Sequence, residues 1–414
     1  VQRFEDVAIL MKTNSEEVEY LDSIGVKGIQ SLVDQKPLNP FEDSIVEYLD
    51  QLSTVIRNDP RIKDFPDVAT FSFFCRRGNL NKKKKLHPVS ASYVRKGRGL
   101  VFHICPSNVP VNFAFSFVAG LLAGNTNLVR VPSKPFEQVQ IILDAVNKLN
   151  MVEKFSEIGR RVAFVRYDKK SDATKEFSKY CDARVIWGGD NTVREVKMNP
   201  SHSRSIDVCF ADRISVCIID ASSFLNYDEQ EKVISGFYND TYLFDQNACT
   251  APKLVIWRGT FNETNQAKNL FWDSVFKLVK NRYELTGVMS VDKRCSLYEY
   301  FIQNNNIKEF NNYENLIYRV QLFDLSVDFE SCNFRYGSFL EFDGHIEDLI
   351  KIDSDKVQTL SYFGLDKKEI MNFINKNGLR GFDRVVPVGS TLEFSLNWDG
   401  YDLVKTLSRE IEII

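Results

Sequence analysis

The segment Phe244-Asp245-Gln246-Asn247-Ala248-Cys249-Thr250-Ala251-Pro252 sets a cysteine among small residues, after a polar loop and before the apolar run Lys253–Trp257. A substrate can reach a thiol in such a place, and a thiolate is the nucleophile suited to thioester exchange. A lone cysteine is more often an inert core residue, so the company Cys249 keeps decides its reading. In Cys105-Pro106-Ser107-Asn108-Val109-Pro110 two prolines flank a polar asparagine between a strand-like run and an apolar helical one. The Asn108 amide could donate to a developing oxyanion, or could do no more than form an Asx-type turn. In Trp187-Gly188-Gly189-Asp190-Asn191 the glycines allow close backbone approach and the next residues can start a helix, an arrangement that binds phosphate. The ordinary dinucleotide fingerprint Gly-x-Gly-x-x-Gly is absent from the chain.

These segments need elements to hold them. Phe41, Ile45, Leu49, Leu52 and Ile56 recur at helical spacing behind Asn39-Pro40, so the N-terminal part is expected to be helical. From Gly99 the pattern changes to β-rich runs at Leu100–Cys105, Asn127–Val131, Arg161–Tyr167 and Arg184–Trp187, separated by helix-length segments at 111–123, 135–149 and 171–180. This alternation predicts a parallel, doubly wound sheet, whose ligands sit at the carboxyl ends of its strands. A second alternation follows, with strands at Ile214–Ile219 and Lys253–Trp257 and helices near 228–239 and 263–281. The expected organisation is an N-terminal helical segment with a cofactor domain over 1–212, a catalytic cysteine domain over 213–385 and a C-terminal return segment over 386–414.

Composition narrows the chemistry. A net charge of -3 gives no bulk reason to bind nucleic acid, and the basic run Lys82–Lys85 reads as a solvated loop. The longest apolar stretch, Phe113 to Gly124, falls short of the about 20 residues that span a membrane. Val1 is followed by no basic-then-apolar signal pattern. The eight cysteines include no Cys-x-x-Cys pair, which suits a reducing cytoplasm. The four histidines, His87, His103, His202 and His345, form no metal-binding pattern, and no Gly-x-Ser-x-Gly elbow suggests a serine hydrolase.

Taken together and in order, the segments from about Tyr93 onward resemble the aldehyde dehydrogenase superfamily, and within it the bacterial acyl-thioester reductases related to the fatty acid reductase of luminescence. Pro106-Ser107-Asn108-Val109-Pro110 is similar to the superfamily's Pro-Trp-Asn-Phe-Pro segment, which implies an oxyanion role for Asn108. Gly124 to Val131 resembles the strand whose Lys contacts the adenosine ribose, a position held here by Arg130. Gly188-Gly189 falls on the phosphate turn, with Gly189 where many members have Ser. Phe244 to Cys249 resembles the nucleophile segment, and Asp-Gln-x-Ala-Cys with Trp-Gly-Gly-Asp is closer to the luminescence-type reductases. Asn397-Trp398-Asp399-Gly400-Tyr401 fits the family's closing loop. The implied fold is a Rossmann-like cofactor domain plus a second α/β catalytic domain.

One departure bears on the chemistry. Aligned through Ser215, the superfamily's water-activating Glu falls on Phe210, and loss of that Glu accompanies the acylating and reducing branches. The resemblance therefore implies reduction of a fatty acyl thioester, on coenzyme A or on a protein, to an aldehyde through acyl-Cys249. Many NAD-preferring relatives have Glu where this chain has Ser133, between Arg130 and Lys134, so NADP(H) is expected to be accepted and NAD(H) remains open. The resemblance also implies a homo-oligomer and an acyl-protein synthetase as a partner. Phe113, Phe115 and Phe117 could line an acyl tunnel, though packing is the simpler reading. Two other functions fit the same residues: a cofactor-free cysteine acyltransferase or thioesterase, which would need a base near Cys249, and a non-catalytic partner subunit.

Overall fold

A computed structural model describes residues 18–21, 28–88, 92–106, 109–326 and 332–414. The chain divides into two compact units, the first comprising the described residues up to Ala211 with Tyr401–Ile414, the second Asp212–Gly400.

In the first unit the strands are β1 (Val18–Tyr20), β2 (Tyr93–Gly97), β3 (Leu100–Ile104), β4 (Thr126–Arg130), β5 (Val162–Tyr167), β6 (Ala183–Trp187) and β7 (Ile206–Phe210). Six of them form one sheet in the order β1-β5-β4-β3-β6-β7. All neighbours are parallel except β1, which runs antiparallel along β5. The helices Asn112–Leu122, Glu137–Asn150 and Ala173–Ser178 occupy the segments expected to be helical. Both faces of this sheet are covered, so β3 is buried at every position and reads as an unbroken apolar run rather than an alternating one. The N-terminal helix is Asp43–Arg57, with Ile45, Leu49, Leu52 and Ile56 on its buried side.

The second unit holds β8 (Ile214–Asp220), β9 (Pro252–Arg258), β10 (Ile307–Tyr313), β11 (Ile317–Leu322), β12 (Ser338–Asp343), β13 (Val357–Phe363) and β14 (Arg384–Pro387). Its sheet runs β10-β11-β12-β9-β8-β13-β14, and only β10 is antiparallel to its neighbour. Side chains alternate across the sheet. Val216, Ile218, Leu254 and Ile256 enter one core, while Cys217, Ile219, Val255 and Trp257 enter the core on the other face.

Two expectations change. Lys82–Lys84 lie in the last turn of a helix, Arg77–Lys84, not in a loop; Lys84 pairs with Asp43 at 2.9 Å and Lys83 lies over the Phe74 ring, which gives the basic run local partners. The segment 386–400 stays with the second unit, because β14 pairs with β13 and the Gly389 and Thr391 N–H groups donate to the Asp240 carboxylate at 2.6 and 3.0 Å. The return to the first unit begins at Tyr401, and its last strand, Ser408–Glu412, pairs antiparallel with β2.

Candidate functional site

Cys249 lies in the second unit, between the helix Gln230–Thr241 and β9. It is exposed, whereas the remaining cysteines are buried or half-buried apart from Cys295. The loop that carries it is nonetheless firmly held. The Ser215 hydroxyl, on β8, donates to the Cys249 carbonyl at 2.6 Å. Asp245 and Gln246 both adopt left-handed backbone conformations, with φ of 53° and 58°. Two consecutive non-glycine residues there cost free energy and persist only where surrounding contacts enforce them.

Those contacts are visible. Gln246 is fully buried, and its amide is saturated. Its Oε1 accepts from the Gly337 and Ser338 N–H groups at 3.1 Å each, and its Nε2 donates to the Pro252 and Ser338 carbonyls at 2.9 Å each. Asp245 accepts the Tyr283 hydroxyl at 2.6 Å, and its carbonyl accepts the Tyr336 N–H at 3.1 Å. The Asp-Gln pair thus ties the cysteine loop to the starts of β9 and β12.

The electrostatics of Cys249 oppose ionisation at rest. Although the residue is open to solvent, the protein around its thiol still desolvates it, and this, followed by the charges of Asp399 and Asp212, pushes the thiol up to about 11, with Lys253 a smaller counterweight. Asp399 is itself a mostly buried carboxylate, raised by burial to about 6 although Arg213 and Gln358 are its partners. Sequence reasoning left Asp399 without a task, because nothing in Asn397–Tyr401 signals proximity to a cysteine so far away in the chain.

The cofactor candidates lie in the first unit at strand carboxyl ends. Arg130 ends β4; its guanidinium lies 4.7 Å over the Tyr167 ring and donates to the Tyr167 carbonyl at 3.4 Å. Ser133 and Lys134 follow, both exposed. Gly188 and Gly189 follow β6, one strand away from β4 across β3. The Gly188 N–H donates to the Phe210 carbonyl at 3.1 Å, and a Cβ on Gly188 would crowd the Thr192 methyl at 3.1 Å. Gly189 is the N-cap of the helix Asp190–Lys197 and no side chain caps that end. An uncapped helix start behind two small residues fits a phosphate group, while Asp190 in the first turn sets a carboxylate beside it. Asn108 lies outside the described residues.

Phe210, the last residue of β7, is buried and stacks on Trp187, with ring centroids 3.8 Å apart. The Trp187 indole N–H donates to Ser116 Oγ at 3.0 Å, and Ser116 lies 2.7 Å from His103 Nδ1. The Asn127 Nδ2 donates to the Asn125 carbonyl at 3.3 Å, which leaves its Oδ1 facing His103, so Nε2 carries the imidazole hydrogen and donates to Asn127 Oδ1 at 2.9 Å, and Nδ1 accepts from Ser116. Burial lowers the His103 pKa to about 4, so it is neutral. Gly120 is required beside this network, since a Cβ there would meet Asn127 Oδ1 at 1.9 Å. His202 is paired with Asp182 and His345 caps the turn Ile346–Ile352. Phe113 and Phe117 pack on Phe164, and Phe115 on Phe71 and Phe74. They act as core. Among the described residues no cluster of His, Cys, Asp or Glu could hold a metal ion, and no helix is long and apolar enough to cross a membrane.

Comparison with known proteins places this architecture. The structure is similar to aldehyde dehydrogenase 21 from Physcomitrella patens, with a TM-score of 0.64 and 10% identity over 94% of this chain and 88% of that one. It is also similar to a glyceraldehyde-3-phosphate dehydrogenase from Methanocaldococcus jannaschii complexed with NADP, with a TM-score of 0.59 and 10% identity over 90% of this chain and 89% of that one. The fold is that of the aldehyde dehydrogenases, a Rossmann-like unit plus a second α/β unit. In sequence, the long-chain acyl-protein thioester reductase of Vibrio harveyi is 30% identical over 178 residues, which make up 42% of this chain and 35% of the relative. Residues 77–410 match the acyl-CoA reductase (LuxC) family, and the chain belongs to that family.

Proposed function

We propose that this chain reduces a fatty acyl thioester to an aldehyde, with hydride from a nicotinamide cofactor, by way of an acyl group held on Cys249. The observation that carries the reading is an exposed cysteine on an immobilised loop in a member of the acyl-CoA reductase family. Immobilisation keeps the sulfur from wandering, so attack on a bound carbonyl costs little orientational entropy.

A bound NADPH or NADH supplies the hydride. Gly188, Gly189 and the start of the helix Asp190–Lys197 would hold the cofactor phosphates, and Arg130 would lie beside the ribose. Ser133 in place of a carboxylate leaves the 2′-phosphate of NADPH unopposed. On the chain's side, the Cys249 sulfur forms a bond to the acyl carbon as the bond from that carbon to the carrier's sulfur breaks, and the proton lost from Cys249 leaves on the carrier's thiol. Asn108 and the Cys249 N–H would stabilise the oxyanion. After hydride addition the thiohemiacetal collapses, releasing the aldehyde and the Cys249 sulfur. Coenzyme A and a protein thiol both fit as carriers, and the similarity to the Vibrio harveyi acyl-protein reductase favours the second.

The cofactor-free thioesterase is less well supported. It needs an imidazole or carboxylate base; both ring nitrogens of His103 are already engaged with Ser116 and Asn127, and the Asp399 carboxylate, whose charge bears on Cys249, is held by Arg213 and Gln358. The test is mass spectrometry after incubation with long-chain acyl-CoA. An adduct on the Cys249 peptide, discharged as aldehyde by NADPH and absent in Cys249→Ala, is the expected result. An adduct on the other exposed cysteine, Cys295, or aldehyde from Cys249→Ala, overturns the assignment.

A further inference from the structure

Lys253 is the second residue of β9, at the end of the segment that carries Cys249. The pairing of β9 with β8 slips at this point. Ser215 lies opposite Pro252 and Val216 opposite Leu254, so Lys253 is an extra residue with no opposite number on β8. Such an irregularity re-aims a side chain and is common beside active sites. The backbone on either side is held: the Ala251 N–H donates to the Ala248 carbonyl at 2.9 Å, the Pro252 carbonyl accepts from Gln246, and Leu254 enters the core.

The Lys253 side chain is half-buried, yet its amine makes no hydrogen bond or ion pair with any described residue. The two buried lysines of the same unit show what a structural role looks like. Lys268 lies 2.5 Å from Asp343 and 3.0 Å from Gln321, and Lys293 donates to the carbonyls of Asn315, Leu316 and Tyr336 at 3.0, 3.0 and 2.7 Å. An amine withdrawn from water without such partners gains nothing for the fold. The groups around Lys253 are Cys332, Arg335, Cys249 and Asp212. Burial holds down its affinity for a proton, and Arg335 adds to that, against the opposing effects of Cys332, Cys249 and Asp212.

Cys249 presents the converse problem. Its thiol is pushed up to about 11, by burial and by Asp399 and Asp212, so little thiolate exists at neutral pH and attack needs a group to take the proton. Resting on the acyl-cysteine reading above, we propose that Lys253 carries the proton of acyl transfer: its neutral amine takes the Cys249 proton as the sulfur attacks and hands it to the carrier's sulfur as that sulfur leaves. The S–H bond of Cys249 and the bond from the acyl carbon to the carrier's sulfur break. The bond from the Cys249 sulfur to the acyl carbon and the S–H bond of the carrier form. The amine ends neutral, as it began, and no outside acid or base is consumed. A weakened amine suits exchange between thiols, and it is poorly matched to water, whose pKa in bulk is roughly 16.

The first test needs no acyl substrate. Alkylation of the Cys249 peptide by iodoacetamide, followed by mass spectrometry from pH 6 to pH 10, should be about 100-fold slower at pH 7.5 in Lys253→Met than in the parent, the scale of a lost general base. Its rise should also move to higher pH. Methionine keeps the length of the side chain and removes an unpaired amine, so melting should match or exceed the parent. The exposed Cys295 is an internal control that should react alike in both proteins, and the buried Cys217 should stay unreactive unless the variant misfolds. Lys253→Arg separates charge from proton transfer. A guanidinium keeps the charge but can neither take the proton nor return it, so acylation by acyl-CoA should be as slow as in Lys253→Met. Identical alkylation profiles in the parent and Lys253→Met overturn the proposal. Acylation at the parent's rate in Lys253→Arg overturns it too, since charge alone would then suffice. A parent whose Cys249 alkylation depends on Lys253 but which takes no acyl group from acyl-CoA would keep the proton exchange between the two residues and overturn the acyl-cysteine reading instead.

Discussion

Ser215 Oγ donates to the carbonyl oxygen of Cys249 at 2.6 Å and at the same time accepts the Thr359 N–H at 3.3 Å. One buried hydroxyl on β8 therefore joins the backbone of the cysteine loop to that of β13. Ser215→Ala is expected to cost about 1–3 kcal/mol of second-unit stability, the penalty for leaving a buried carbonyl without its donor. Acylation of Cys249 should slow while the overall fold survives. Denaturant titration with a parallel measurement of thioester formation checks both, and wild-type acylation in the variant would show that Ser215 is only a core residue.

Gln246 should be less tolerant. Its amide meets two N–H groups and two carbonyls, so Gln246→Leu fills the space but strands four backbone groups at once. Each unsatisfied group costs roughly 1–3 kcal/mol if water cannot reach it, and the strained backbone at Asp245 and Gln246 loses what enforces it. The expected result is a second unit that unfolds at markedly lower denaturant while the first unit's transition stays put. A variant as stable as the parent would show that the loop is held elsewhere.

The alternation of strands and helices was legible because the parallel sheets have covered faces, and their apolar runs stand out: all the strands expected between Leu100 and Trp257 are present within a residue or two of their expected ends. The edges were not. β1, β10 and β14 are half-exposed or polar strands, and Asn-rich Ile307–Tyr313 gains its strand form only by pairing with β11. At the candidate site the cysteine was legible from its small neighbours, but its support was not. Left-handed Asp245 and Gln246 carry no glycine signal, and Ser215, Pro252 and Ser338 meet around the loop only through sheet order. Helical Arg77–Lys84 was hidden by a run of like charges that lowers local preference, offset in the fold by the contacts to Asp43 and Phe74.

His103 makes the first unit sensitive to acid. Its pKa, held down to about 4 by burial, lies below the ordinary value near 6.5, so the unfolded chain binds the proton more readily. The neutral imidazole's contribution is intact above about pH 6.5 and is lost as pH falls toward 4, roughly 3 kcal/mol across that window. His103→Gln should be less stable at neutral pH but should show a flatter dependence below pH 6.5. Denaturant titrations of both proteins at pH 7, 6, 5 and 4.5 test this, and parallel curves would mean that other groups set the acid sensitivity.

The resemblance bears on the fate of the proposed acyl-enzyme. The resemblance puts the superfamily's water-activating carboxylate at position 210, and here that position holds a buried ring locked against an indole that is itself bonded to Ser116. An aromatic ring cannot take a proton from water. Hydrolysis of acyl-Cys249 should therefore be slow. With acyl-CoA and no reduced cofactor, the acyl group is expected to accumulate to one per chain and to persist, and adding NADPH should discharge it as aldehyde. In the reverse direction, aldehyde with NADP should give a thioester when coenzyme A is present and little free acid when it is absent. Restoring a carboxylate by Phe210→Glu should destabilise the first unit before it yields any hydrolysis, because the charge would replace a ring whose partner offers no hydrogen bond to it. Rapid release of free fatty acid by the parent protein would mean that another group activates water, and the place of Phe210 in the chemistry would have to be abandoned.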